Sequence, residues 1–241
     1  RVIDVPRRAD KGFQIDFEEL RRVTDERADV RLVFLTSPNN PTGDLIGRDQ
    51  LEDVLKACED KALVVLDEAY IEFSAADSAT TLMQHWPQLV VLRTLSKAWA
   101  AAGVRCGVVI ANPGVIDLLL RVIAPYPLAA TAVDAALQAV SGDAVDRQRE
   151  FVEMISLGRS DFLGFLSGCS WVEEIMEGEA NFVLIRVPDA DGLVNWCSGK
   201  GIRIRNFTTQ PQLGGCVRLT IGSPAEMTTV KAALQSYGDS L

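Results

Sequence analysis

Three stretches of this chain bring together residue types that could do chemistry. Asp67 directly follows the apolar run Leu63-Val64-Val65-Leu66, and Tyr70 lies three residues further on. A carboxylate behind four buried residues is costly to desolvate unless something cationic faces it. Lys97 closes the stretch Thr94-Leu95-Ser96-Lys97, just beyond a second apolar run, Leu89-Val90-Val91-Leu92. Arg105 sits inside Gly103-Val104-Arg105-Cys106-Gly107, where flanking glycines allow close backbone approach and present a bidentate anion binder. Each has a plain alternative when read alone: Asp67 as a strand-end acid in a salt bridge, Tyr70 as packing, Lys97 as a solvated side chain. Around one crevice they suit a phosphate-bearing aromatic aldehyde. The lysine would form a Schiff base, the arginine would hold phosphate, and the aspartate would keep a pyridine nitrogen protonated.

Other chemistries find little support. His85 is the only histidine, beside Trp86-Pro87, so Ser-His-Asp or Cys-His catalysis would need that one residue. No four-ligand spacing exists for zinc, and no metal site is expected. The five cysteines, at 58, 106, 169, 197 and 216, form no C-x-x-C pair and read as reduced thiols of a cytoplasmic protein. With 33 acidic against 24 basic residues the formal net charge is −9, which disfavours nucleic acid as a partner. The longest apolar runs, such as Cys106 to Ala111, fall far short of the ~20 residues a membrane-spanning helix needs.

The elements that must position these residues follow from periodicity. Short apolar runs at 30–35, 62–66, 89–92 and 104–110 read as strands, and 49–57 and 113–121 carry helical spacing. All-apolar strands alternating with amphipathic helices imply a sheet covered on both faces, with chemistry in the loops at the strand ends. Beyond Pro125-Tyr126-Pro127 come long helical stretches, 129–140 and 143–167. A smaller α+β unit follows, with strands near 171–174, 181–187, 202–205 and 217–221 and helices near 190–199 and 224–237. The expectation is an α/β chain: a large domain over 1–140 and a small α+β domain over 141–241, linked by the long helix.

Ser37-Pro38-Asn39-Asn40-Pro41-Thr42-Gly43, Asp67-Glu68-Ala69-Tyr70 and Ser96-Lys97 with the Arg105 segment resemble, in order and spacing, the signatures of fold-type I pyridoxal-phosphate aminotransferases. Asp67 to Phe73, Leu92 to Ala98, Val122 to Leu128 and the tail from Gly201 to Gly222 are similar to the histidinol-phosphate aminotransferase family in particular. Trp99 stands where that family more often has Phe. The resemblance implies a three-layer αβα large domain with a mostly parallel sheet, pyridoxal 5'-phosphate as cofactor, and a homodimer. It implies Lys97 as the lysine that bonds the cofactor and shuttles the proton, and Asp67 as partner of the pyridinium nitrogen. Asn40 and Tyr70 would hydrogen-bond the ring hydroxyl oxygen, and Ser96 and Arg105 would bind the phosphate. Arg205 would take the substrate phosphate, Arg218 would be shared with the glutamate carboxylate, and Asn181 would line the site beside Arg218.

The implied activity is transamination of histidinol phosphate with 2-oxoglutarate in histidine biosynthesis. An aromatic aminotransferase, a threonine-phosphate decarboxylase or a non-catalytic fragment are the alternatives. The chain opens Arg1-Val2-Ile3 with no methionine, and Val2-Ile3-Asp4-Val5-Pro6 resembles a mid-domain strand of the family. The expectation is therefore an N-terminally truncated product. The missing stretch would hold a phosphate-binding loop, a ring-stacking aromatic and a tyrosine that reaches the neighbouring subunit.

Overall fold

Three of the apolar runs become parallel strands of one sheet: β1 (Leu32–Thr36), β2 (Leu63–Asp67) and β3 (Leu89–Thr94). A fourth, β4 (Gly107–Ile110), joins β3 antiparallel, giving the order β1-β2-β3-β4 in the computed structural model, which describes residues 1–241. The register Phe34↔Val65 and Val65↔Val90 sets one face of the sheet, and Leu35↔Leu66, Leu66↔Val91 and Val91↔Ile110 set the other. That second face carries the core. Leu35, Val64, Leu66, Leu89 and Val91 pack there against Leu20 of α1 (Phe17–Glu26) and Leu51, Val54 and Leu55 of α2 (Arg48–Ala57). In α2 the buried positions follow the i, i+3, i+4 spacing of a helix with one apolar stripe.

The expected α/β class with a mostly parallel sheet is what forms. Coverage of both faces is only partial. Val65 and Val90 are buried, but their neighbour Phe34 is 69% exposed and Val109 is exposed as well. The helices after β4, α3 (Pro113–Val122) and α4 (Ala130–Ala139), bury no residue, and leave Leu118, Leu120, Val122 and Leu137 in solvent.

The second expectation corrected concerns Val2 to Val5, which form no strand. Pro6 lacks an N–H to donate, and the segment finds no ladder. Arg7 instead reaches by its side chain to the carbonyls of Phe13 (3.1 Å) and Thr36 (3.0 Å). The only pairing there is the isolated bridge Arg8–Gln14, closed over Gly12 at φ 64. β4 likewise starts at Gly107 rather than 104, because Ala102–Val104 is a 3-10 turn that ends with Arg105 in the left-handed region.

A long helix, α5 (Ala144–Ser167), leads into a second sheet of order β5-β6-β8-β7. Its strands are β5 (Glu174–Met176), β6 (Phe182–Arg186), β7 (Arg205–Asn206) and β8 (Cys216–Thr220), all antiparallel. β5 begins three residues later than its sequence pattern suggests. Trp171 packs edge-on against Tyr237 at 5.2 Å instead of entering the ladder. Between the strands lie α6 (Ala190–Gly199) and, last, α7 (Pro224–Gly238), begun by a capping box between Ser223 and Glu226. Leu184, Ile185, Leu193, Leu219 and Leu234 are fully buried within this part.

By packing, the chain divides into two units: residues 1–38 with 45–149, and residues 39–44 with 150–241. The division falls inside α5, and the short segment 39–44 packs with the later unit. No helix is long and apolar enough to cross a membrane.

Candidate active site

Of the side chains marked out by the sequence, five lie in the first unit and four in the second.

In the first unit, the carboxyl ends of the parallel strands fall level: Thr36 pairs with Asp67, and Asp67 with Leu92. In such sheets the loops leaving these ends form the reactive edge. Asp67 is half-buried, and one carboxylate oxygen accepts the Ala69 N–H at 2.9 Å. No lysine or arginine of the chain pairs with it, so the cation that its burial calls for is not supplied by a side chain. Tyr70 is buried, and the Lys97 ammonium stands 5.1 Å from its ring centroid. That distance is within the range of a cation–π contact.

The turn after β3 is fixed by Thr94. Its Oγ1 donates to Ser96 Oγ at 3.0 Å and accepts the Ser96 N–H at 3.1 Å. The Leu95 N–H donates to the Cys106 carbonyl at 3.2 Å, which brings the Ser96-Lys97 turn beside Arg105. Arg105 is exposed, with φ 58, and donates to the Ala102 carbonyl at 3.0 Å. Gly107 passes close to the Arg93 carbonyl, where a Cβ would come to 3.3 Å. Gly103 has open space around it, so only one of the two glycines flanking Arg105 serves a close approach.

In the second unit, Arg218 of β8 donates from Nη1 to the Asn40 side-chain oxygen at 2.6 Å. Its guanidinium lies over the rings of Phe182 (4.7 Å) and Phe207 (5.8 Å). Arg205 stands directly opposite Arg218 in the β7–β8 ladder, and is exposed. Asn181 immediately precedes Phe182, and its carbonyl accepts the Ile221 N–H at 2.9 Å. The preceding carbonyl, of Ala180, accepts Arg159 Nη1 at 2.8 Å, which ties this turn to α5. Burial holds the Arg159 guanidinium below its ordinary pKa.

Asn40 is presented by a tightly bonded loop. The Asn39 N–H donates to the Asp44 carbonyl (2.9 Å), and the Gly43 N–H donates to the Asn39 carbonyl (2.7 Å). Thr42 Oγ1 accepts Asn39 Nδ2 at 2.7 Å and donates to the Asp44 carboxylate. Gly43, at φ 80, lies so near Gly178 that a Cβ would meet the Gly178 Cα at 2.8 Å. The Glu179 N–H closes the contact on the Gly43 carbonyl at 2.8 Å.

Sequence reasoning missed the two phenylalanines under Arg218. The adjacency Asn181-Phe182 was the signal for one; Phe207 had none. It also missed Thr94, whose hydroxyl two residues before Ser96 is a standard local turn partner.

The first group fits pyridoxal phosphate on its chemistry. It offers an amine, a half-buried carboxylate with no cationic partner in the chain, a phenol beneath the amine, and a hydroxyl with an arginine for a phosphate.

Residues 1–234 match the family model described as aminotransferase class I and II. The histidinol-phosphate aminotransferase of Pectobacterium atrosepticum is 42% identical over 224 residues, which cover 93% of this chain and 62% of that protein. Among solved structures, the histidinol-phosphate aminotransferase from Clostridium acetobutylicum aligns with a TM-score of 0.88 at 25% identity, over 97% of this chain and 70% of that one. The histidinol-phosphate aminotransferase from Sinorhizobium meliloti, solved in complex with pyridoxal-5'-phosphate, gives 0.86 at 27% identity, over 100% of this chain and 65% of that one. The chain thus spans about three fifths of the length of the curated relatives it matches.

Proposed function

This chain belongs to the class I and II aminotransferase family, and from that footing we propose that it carries the lysine and substrate-arginine parts of a pyridoxal-phosphate-dependent histidinol-phosphate aminotransferase. The reaction would exchange an amino group between histidinol phosphate and 2-oxoglutarate in histidine biosynthesis, in a cytoplasmic homodimer. When bound, the cofactor supplies an electron sink for breaking the substrate Cα–H bond.

The chain's own residues divide the remaining work. Lys97 Nζ would hold the cofactor by its aldehyde carbon until the substrate amine replaces it, and the freed amine would then carry the proton to and from the substrate Cα. Asp67 holds the protonated ring nitrogen, and Tyr70 and Asn40 hold the ring oxygen. Ser96 and Arg105 hold the phosphate by charge-assisted bonds. Arg205 receives the substrate phosphate, while Arg218 serves the glutamate carboxylate as well, with Asn181 beside it. The first unit then supplies every cofactor-holding residue but Asn40, and the second supplies Asn40 and the residues of substrate recognition.

The observation that supports this reading most is the Lys97 ammonium 5.1 Å above the Tyr70 ring, in the same strand-end cluster as an Asp67 that lacks a cationic partner. Adding pyridoxal phosphate to the 241-residue chain should give an absorbance band near ~420 nm, and borohydride should then fix the cofactor on Lys97. Lys97→Ala should abolish both. Turnover of histidinol phosphate, compared with phenylalanine and threonine phosphate, tests the substrate; none on the first sinks that assignment.

A further inference from the structure

Behind the strand ends that carry Asp67 and Lys97 lies an ionic cluster with no part in the chemistry described so far. Glu68 is 2% exposed. Its carboxylate accepts the Ser78 hydroxyl at 2.6 Å and the Ala79 N–H at 2.7 Å, and it faces Arg93 Nη1 at 3.5 Å. The other arm of Arg93 donates to Glu72 at 2.8 Å. One guanidinium on β3 therefore spans two carboxylates from the segment after β2.

The cluster's place in the sheet gives it leverage. Successive residues of a strand point to opposite faces. Leu92 is the β3 residue in register with Asp67, so Arg93 emerges on the face away from Asp67, as Glu68 does one residue beyond it. The Glu68 N–H donates to the Leu92 carbonyl at 2.9 Å, which extends the ladder by one bond past Asp67. Arg93 is followed at once by Thr94, whose hydroxyl sets the turn that carries Ser96 and Lys97. Fixing Glu68 to Arg93 at the rear thus fixes Asp67 and Lys97 at the front.

A purely stabilising role fits poorly. Arg93 Nε is buried with no acceptor, and burial pushes the Glu68 carboxyl above the usual range. A buried ion pair left half-satisfied adds little stability over apolar packing, and its best-attested use is to fix register.

We propose that Arg93, clasped between Glu68 and Glu72, is a positioning residue that sets the separation of Asp67 and the Lys97 amine. The inference rests on the cofactor reading above. A clasp that supports a site from behind should matter to ligand affinity by about tenfold.

The test titrates pyridoxal phosphate into the 241-residue chain, following the ~420 nm band for its apparent Kd and for the pH midpoint at which it gives way. Arg93→Gln should weaken binding about tenfold and move that midpoint by about half a unit or more, with Arg93→Lys recovering part of both. Val54→Ala, which thins the core without touching the clasp, should lower the urea midpoint and move neither. Should Arg93→Gln fail to fold, Glu72→Gln removes only the outer arm and should shift both readouts in the same direction by less. The proposal is overturned if the Arg93 and Glu72 variants leave affinity and midpoint unmoved, or if Val54→Ala moves them equally. A wild-type chain that gives no band overturns the cofactor reading itself, and this inference falls with it.

Discussion

Arg205 and Arg218 face each other directly across the β7–β8 pair, two like charges on adjacent strands. Directly opposed like charges destabilise a ladder unless something anionic comes between them. Arg218 is shared among Asn40 and two aromatic rings, while Arg205 stays in solvent. The pair is therefore asymmetric: one arginine is held in place and the other can move onto a ligand.

Under the proposed function, that asymmetry would separate the two substrates. Arg205→Ala should lower kcat/KM for histidinol phosphate by about ten- to a hundredfold, the worth of charge-assisted bonds, and leave glutamate nearly unaffected. Arg218→Ala should impair both. Half-reaction kinetics with each amino donor measure the difference, and equal losses for both donors in Arg205→Ala would refute the division of labour.

Asn40 is neutral, so it orients Arg218 without cancelling its charge. Asn40→Asp should convert this contact into an ion pair that competes with anionic substrates. The expected result is a rise in KM of about tenfold with a smaller change in kcat, and Asn40→Ala should be milder. Steady-state kinetics over a range of salt would show it, since screening should relieve the Asp variant in part.

Gly43→Ala should destabilise the second unit. The φ of 80 alone costs a side chain about 1–2 kcal/mol, and the Gly178 backbone leaves no room for the methyl group. Urea unfolding should show an earlier midpoint. Gly103→Ala, in open space with no positive φ, is the matched substitution that should be nearly silent.

Glu68 gives a pH signature. Its folded pKa is raised by burial, against the lowering effects of Ser78, Ala79 and Arg93, and with Glu72 raising it slightly. A carboxyl with a raised folded pKa contributes stability that is present below its unfolded value, about 4.3, and is lost as pH climbs through the folded value. The stability difference between wild type and Glu68→Gln should therefore shift toward Gln as pH rises above about 4.3. Urea midpoints of the pair across pH 4 to 7 (about that range) measure it. A difference that runs the other way would mean that pairing with Arg93 outweighs burial.

What could be read from the sequence was whatever local pattern dictates. Apolar runs ending at Asp67 and before Thr94 marked strand ends, because a buried parallel strand needs no polar face. α1 went unread although Asp16 and Glu19 form the expected helix-start pair, and Asp16 does accept the Glu19 N–H at 3.0 Å. The rest depended on partners distant in sequence. Val2 to Val5 has strand composition and no ladder, and α3 has an apolar stripe that buries nothing. No local pattern could place Phe207 beneath Arg218 or Arg93 between two glutamates, since each contact joins segments whose meeting is set by sheet order.

The segment 39–44 makes the second unit discontinuous along the chain. A cut at residue 150 therefore excises a piece that lacks six residues of its own unit: Arg218 loses the Asn40 oxygen, and Gly178 loses the backbone it was shaped to touch. Separately expressed halves would have to re-associate through a loop supplied in trans, much as a fragment-complementation pair does. The order of synthesis follows the same logic. The Asn40 loop leaves the ribosome long before Gly178 and Arg218 exist, and it acquires its partners only when the end of the chain arrives.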